Sequence, residues 1–283
     1  MNQRHITLAQ GLTTQFALLP QVEAVTLGGS QTAQPDEISD LDLYVFTRAD
    51  IPLSDREQIV LHSGGAAQSS LGLEYWGPGD EWIDAASGLE VDIVFFDAGW
   101  MAEQIDRVVR HHIPSLGYTT CFWHTVRYSR ILHDPNNWFQ ALQIACGGGY
   151  PEELRRNIIA YNHPVLRNVI PSYTAQIEKA VQRRDLISIN HRLAALFASY
   201  FDVLFALNRR LHPGEKRLLP FARENCPLLP VRFEEEISEV LGASTGKSEG
   251  LIPALNNLID HLDDVLIGSG FDPHSGLPMA SNE

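Results

Sequence analysis

Residues 40–47 read Asp-Leu-Asp-Leu-Tyr-Val-Phe-Thr, and this alternation constrains the fold more than any other feature of the chain. Successive side chains of a strand point to opposite faces. Leu41, Leu43 and Val45 therefore share one face and require a hydrophobic core behind it. Asp40 and Asp42 share the other face at the N-terminal edge, about 7 Å apart along the strand. A strand of this kind belongs in a sheet that is covered on one side and carries polar chemistry on the other.

The flanking sequence supplies such a sheet. Val22 to Leu27 reads as a short strand that Gly28-Gly29-Ser30 breaks, and residues 31–39, with Pro35-Asp36, read as a loop. Leu89 to Phe96 reads as a third strand. Residues 72–76 and 81–85 suggest a hairpin around Gly77-Pro78-Gly79. Apolar positions of helical period cover residues 3–18, and Ser54 is the expected cap of a helix over 55–62.

After Asp97 the pattern turns helical, with candidates over 99–112, 151–168, 172–184, 186–209, 232–241 and 248–267. The clearest is 186–209, where Ile189, Leu193, Leu196, Phe197, Tyr200, Phe201, Leu204 and Leu207 make a wide apolar face. Strands followed by helices predict an α+β chain, a mixed β-sheet flanked by helices and then an α-helical bundle. The length of 283 residues suits two domains. The boundary is expected within 130–150, giving domains 1–135 and 136–283.

The two carboxylates of 40–42 can share a pair of hard cations. Magnesium takes oxygen ligands and completes its shell with water and substrate phosphates. Two such ions can hold the attacking and the leaving oxygen of an in-line displacement. Gly28 and Gly29, without Cβ atoms, would let backbone N–H groups approach a phosphate, and Ser30 adds a hydroxyl. Each motif alone is weak. Their sequence of strand, Gly-Gly-Ser, nine residues and Asp-Leu-Asp opening an apolar strand is much stronger.

The segment Leu27-Gly28-Gly29-Ser30 … Ser39-Asp40-Leu41-Asp42-Leu43-Tyr44-Val45 resembles the defining motif of the DNA polymerase beta-like nucleotidyltransferase superfamily. The resemblance covers about residues 20–97. It implies two Mg2+ ions and transfer of a nucleoside monophosphate from a nucleoside triphosphate, ATP being the first expectation. It also implies a third carboxylate on a neighbouring strand. Within Leu89-Glu90-Val91-Asp92-Ile93-Val94, Asp92 fits that metal ligand or base. A Glu in a similar Leu-Glu-Val segment is the base of aminoglycoside nucleotidyltransferases, which keeps Glu90 as the alternative. The superfamily also contains protein and RNA nucleotidylating enzymes and antitoxin-like proteins, so a binding or regulatory role is the rival reading.

Charge refines this picture. Residues 1–96 hold three basic residues (Arg4, Arg48, Arg56) against fourteen acidic ones, within a chain whose net charge is −14. Such a front half disfavours a nucleic-acid partner and suits a small acceptor, with a polycationic aminoglycoside-like compound as one candidate. A triphosphate also requires cationic clamps, which the helical half is expected to supply. There the segment 206–217, Ala-Leu-Asn-Arg-Arg-Leu-His-Pro-Gly-Glu-Lys-Arg, loosely resembles one in two-domain members of the superfamily. The resemblance assigns Lys216 to the triphosphate, and Asn208 to orienting either the turn or the nucleotide.

Other features are set aside. Gly242 to Ser248 imitates a phosphate loop but has three residues between its glycines where four are needed. Arg156 and His163 are separated by six residues on a helix, a spacing common by chance, and no carboxylate or cysteine pattern accompanies His111-His112 and His124 to suggest a metal. Tyr75, Trp76 and Trp82 are expected in the core. Cys121, Cys146 and Cys226 are expected as buried free thiols. With no leader-like start and no long apolar run, a soluble, cytoplasmic monomer or homodimer without membrane contact is expected.

Overall fold

The computed structural model describes residues 3–28, 40–245 and 250–273. Its elements, in order, are α1 (Gln3–Phe16), β1 (Val22–Leu27), β2 (Leu41–Thr47), α2 (Leu53–His62), β3 (Ala66–Leu73), β4 (Gly79–Asp84), β5 (Glu90–Asp97), α3 (Ala98–Val109), α4 (Cys121–Tyr128), β6 (Arg130–His133), α5 (Trp138–Ala145), α6 (Glu152–Asn162), α7 (Pro164–Arg167), α8 (Tyr173–Arg183), α9 (Leu186–Leu207), α10 (Leu218–Asn225), α11 (Phe233–Ser244) and α12 (Leu251–Gly268). The expected α+β class holds. Contacts divide the chain into two units, residues 1–106 with 125–148, and residues 107–124 with 149–283.

The first unit contains a six-stranded mixed sheet of order β3-β4-β5-β2-β1-β6. β2 and β5 pair in parallel at its centre, and the other pairings are antiparallel. Leu41, Leu43 and Val45 of β2, Val91, Ile93 and Phe95 of β5, and Val25 and Leu27 of β1 form one buried face. Ala9, Leu12 and Phe16 of α1, at helical spacing, and Ile59 and Val60 of α2 cover it. On the opposite face Phe46 is fully buried against Phe139 and Trp138 of α5, at ring-centroid distances of 4.9 and 5.5 Å.

The second unit is helical. α9 keeps the one-sided pattern of its periodicity up to Leu196, with Ile189, Leu193 and Leu196 buried, and is buried on all sides from Ser199 to Leu207. Asp185 caps it through the Ser188 N–H at 3.0 Å. In the fully buried C-terminal part of this helix stands Asp202, itself buried. It accepts from the Thr119 N–H at 3.1 Å, the Thr119 hydroxyl at 2.6 Å and the Asn162 amide at 3.2 Å. Asn162 also accepts from the Gly117 N–H at 2.8 Å. Together they fasten the irregular segment 113–120 to α6 and α9.

Several elements differ from the sequence reading. α2 begins at Leu53 behind Pro52, and Ser54 makes no capping bond, because the proline's fixed φ already directs the chain into the helix. The hairpin is longer on its first strand. Only Trp82 lies in the core, whereas Tyr75 and Trp76 are 83% and 95% exposed on the connecting turn. Residues 151–168 form two helices, broken at Pro164. α4, β6, α5 and α10 are short and carry too few apolar repeats to be read from sequence.

Burial pushes the Asp202 carboxyl up from 3.8 to about 7, against the opposing bonds from Thr119. Between about pH 4 and 7 the folded chain holds a proton here that the unfolded chain has released, so this group lowers stability as pH rises through that window. Buried His124 and His212, lowered to about 4 and about 3, act in the opposite sense below pH 6.5. The Asp202 contribution is therefore read by difference. The melting temperature of Asp202→Asn is expected to gain on that of the wild type as pH rises from 5 to 8; a constant difference would show that Asp202 is ionised throughout.

Candidate functional site

β1, β2, β5 and β4 place polar groups on the sheet face opposite the α1 core. The parallel register aligns Asp42 with Asp92, and the antiparallel register aligns Asp92 with Glu81. Residues opposite one another share a face, and adjacent strands lie about 4.8 Å apart. Glu81, Asp92 and Asp42 therefore form one row across three strands. The row ends at Gly28, whose N–H donates to the Asp42 carbonyl oxygen at 3.1 Å. Continued back, the β2–β5 register sets Asp40 beside Glu90 in a second, outer row.

Burial separates the two rows. Asp42 and Asp92 are half-buried, while Asp40, Glu90 and Glu81 are exposed. Behind the inner row the face becomes aromatic. Tyr44 meets Phe96 edge-on at 5.7 Å, Phe96 stacks on Phe46 at 5.6 Å, and Trp100 lies parallel to Phe96 at 6.2 Å. Asp97 fixes the following helix by accepting from the Trp100 N–H at 2.7 Å. The carboxylates thus occupy the polar end of a face whose other end is closed by rings.

Gly28 gains a physical reason that the sequence did not disclose. A Cβ there would lie 2.0 Å from Cε2 of Tyr44, so the residue is small because the tyrosine ring fills that space. Its N–H serves the sheet. Gly29 and Ser30, the other residues expected at the phosphate, lie outside the described residues.

Two of the three basic residues of positions 1–96 are engaged with carboxylates outside this row. Arg56 donates to buried Asp80 at 2.9 Å, and Arg48 is ion-paired with Glu23. Asp80 faces the core side and also accepts from the Gly72 N–H at 2.7 Å. Burial raises its pKa, opposed by the bonds from Gly72 and Arg56.

The remaining candidates lie in the helical unit. Lys216 is exposed in the segment before α10. Asn208 is buried, its amide nitrogen donates to the Leu204 and Leu228 carbonyls at 2.8 and 2.9 Å, and its oxygen accepts from the Leu228 N–H at 2.8 Å. These bonds hold the segment after α10, not the Pro213-Gly214 turn. Of the features set aside, His163 is fully buried against Asp263 at 2.6 Å, and Gly242 lies within α11. Cys146 and Cys226 are buried free thiols and Cys121 is half-buried. Burial pushes all three thiols up, to about 11 or 12.

Among the described residues no group of three His, Cys, Asp or Glu is gathered to hold a metal ion. Asp42 and Asp92 nevertheless match the donor chemistry of magnesium, which uses one or two protein carboxylates and takes its remaining ligands from water and phosphate. Sequence reading found both residues. It missed Glu81, whose place beside Asp92 depends on the β4 register, and Tyr44, whose role depends on its approach to Gly28.

A family model described as "Domain of unknown function (DUF4037)" matches residues 122–218. No curated protein matches the chain. Among solved structures, the chain is similar to a nucleotidyltransferase-like protein from Exiguobacterium sibiricum 255-15, with 12% identity and a TM-score of 0.43 over 93% of this chain and 74% of that one. It is also similar to an aminoglycoside 6-adenyltransferase from Bacillus subtilis, with 10% identity and a TM-score of 0.31 over 94% and 92%. No helix among the described residues is long and apolar enough to cross a membrane.

The packing of Tyr44 on Gly28 is directly testable. Gly28→Ala is expected to cost about 1–3 kcal/mol by overpacking. Tyr44→Ala should remove most of that added cost, so the double-mutant cycle should show strong coupling. Additive melting shifts in the four proteins would refute the contact.

Proposed function

We propose that this chain is a magnesium-dependent nucleotidyltransferase, moving a nucleoside monophosphate, with ATP as the first candidate donor, to a hydroxyl of an acceptor. The observation that carries the reading is the parallel register of β2 and β5, which sets the half-buried carboxylates Asp42 and Asp92 side by side at the strand starts. A hydrophobic sheet has no structural use for two adjacent half-buried carboxylates, since like charges placed opposite each other destabilise it.

In this reading Asp42 and Asp92, with Asp40 on the outer row, would hold two Mg2+ ions. When bound, the ions neutralise the triphosphate and the charge that develops during displacement. Gly29 and Ser30 are assigned to the phosphates, with Gly28 shaping the end of β1 behind them. Asp92 or exposed Glu90 takes the proton of the acceptor hydroxyl. The acceptor oxygen then bonds to the α-phosphorus, the bond from that phosphorus to the bridging oxygen breaks, and pyrophosphate leaves. Asn208 and Lys216 are the nucleotide-binding residues proposed in the helical unit, Asn208 indirectly through the segment it fastens. The acidic face suits a small, cationic acceptor of aminoglycoside type.

Incubation with each of four labelled nucleoside triphosphates, Mg2+ and an acceptor panel or cell extract tests the reading. Label is expected in a small-molecule fraction, with release of pyrophosphate that stops when the metal is chelated. Asp42→Ala should lower turnover by at least about a thousandfold while leaving the melting temperature unchanged or raised. Undiminished turnover in that variant would refute the reading. Nucleotide binding without transfer would favour a regulatory protein, and label in protein or RNA would redirect the search for the acceptor.

A further inference from the structure

Segment 208–217, between α9 and α10, carries Arg209, Arg210, Lys216 and Arg217 and is tied down along its length. Asn208 holds Leu228 as described, and Arg210 donates through Nε to the Asn225 carbonyl at 2.6 Å. Its deepest anchor is His212, which is fully buried. The His212 N–H donates to the Thr120 hydroxyl oxygen at 2.7 Å. The imidazole packs against Tyr118, with centroids 4.7 Å apart, and edge-on against Phe205 at 5.0 Å.

One contact of this ring is unlike simple packing. Nδ1 of His212 accepts from the Gly214 N–H at 3.2 Å. An imidazole nitrogen accepts only when it carries no proton, so the ring is neutral with its proton on Nε2. Burial, helped by the nearby His124, lowers the pKa to about 3, which keeps that acceptor in place across the working range of pH. Gly214 has a φ of +107°, a conformation that suits glycine, and the chain leaves it directly into exposed Glu215, Lys216 and Arg217. The buried ring therefore fixes the turn from which the cationic tip projects. Nε2 has no partner among the described residues, so the bond to Gly214 is the only polar return on burying this ring's nitrogens.

We propose that His212 is a positioning residue: by accepting the Gly214 N–H from a buried, packed ring, it fixes the turn that presents Lys216 to a nucleoside triphosphate. This rests on the reading of Lys216 as a nucleotide-binding residue. A phenylalanine could fill the same aromatic slot. What histidine adds is the acceptor, which asparagine can imitate with its Oδ1 while losing the ring contacts.

That difference separates positioning from packing. In the full chain, ATP affinity is measured with Mg2+ by titration calorimetry, beside melting temperature and hydrogen exchange at the Gly214 amide. Lys216→Ala is expected to weaken ATP binding roughly tenfold. His212→Phe should keep the melting temperature, lose protection at Gly214 and weaken ATP by roughly threefold to tenfold. His212→Asn should melt lower yet bind ATP more tightly than His212→Phe. Affinities that follow melting temperature, with the asparagine variant the weaker binder, would overturn the inference. So would unchanged affinity in His212→Phe while Lys216→Ala weakens binding. Unchanged affinity in Lys216→Ala, or no ATP binding by the wild type, would instead overturn the reading beneath it.

Discussion

The parallel pairing of β2 with β5 is the constraint on which the sheet unit depends. Parallel neighbours cannot be joined by a tight turn, so the chain must leave β2 and return, and it does so through α2, β3 and β4. The same pairing fixes both faces of the sheet at once. Leu43 beside Ile93 and Val45 beside Phe95 build the core, and one residue out of phase Asp42 is forced beside Asp92. A slip of one residue would bury the carboxylates and expose the leucines. The hydrophobic effect thus enforces a juxtaposition of charges that electrostatics alone would oppose.

The helical unit addresses a related problem by different means. Asp202, Asn162 and His212 are polar groups placed deep among apolar helices, where an unmatched group is costly. Each is used to fasten irregular chain. Asp202 and Asn162 hold the segment before α4, and His212 holds the turn before α10. Raising the Asp202 pKa and lowering that of His212 are two results of one cause, since burial disfavours the charged form of either group. Two loops that lack regular hydrogen bonding are in this way given defined shapes.

How much was legible in the sequence depended on the range of the interaction. β1, β2 and β5 were readable because a strand's period-two pattern is local, and the apolar run of α9 marked it as a major helix. α4, α5 and α10, at eight residues each, leave too little periodicity to separate from turns. Asp40, Asp42, Glu90 and Asp92 stood out because alternation on a strand assigns each to a face. Glu81 did not, because nothing in residues 79–84 reveals which residue of β5 it will meet. Tyr75 and Trp76 misled for the opposite reason: aromatic composition predicts burial, but the turn that joins the edge strand β3 to β4 leaves them exposed.

By itself the sequence determined the α+β order, the strands that carry the carboxylates, and the acidity of the half that holds them. These follow from composition and from periods of two and 3.6 residues, which act over a few positions. Tertiary structure decided that Asp42 and Asp92 are neighbours with Glu81 beside them, that Gly28 yields its space to Tyr44, and that His212 supports the turn before Lys216. Those facts depend on strand register and on contacts between residues far apart in the chain. No local pattern encodes them, because they arise only when the apolar faces have chosen their partners.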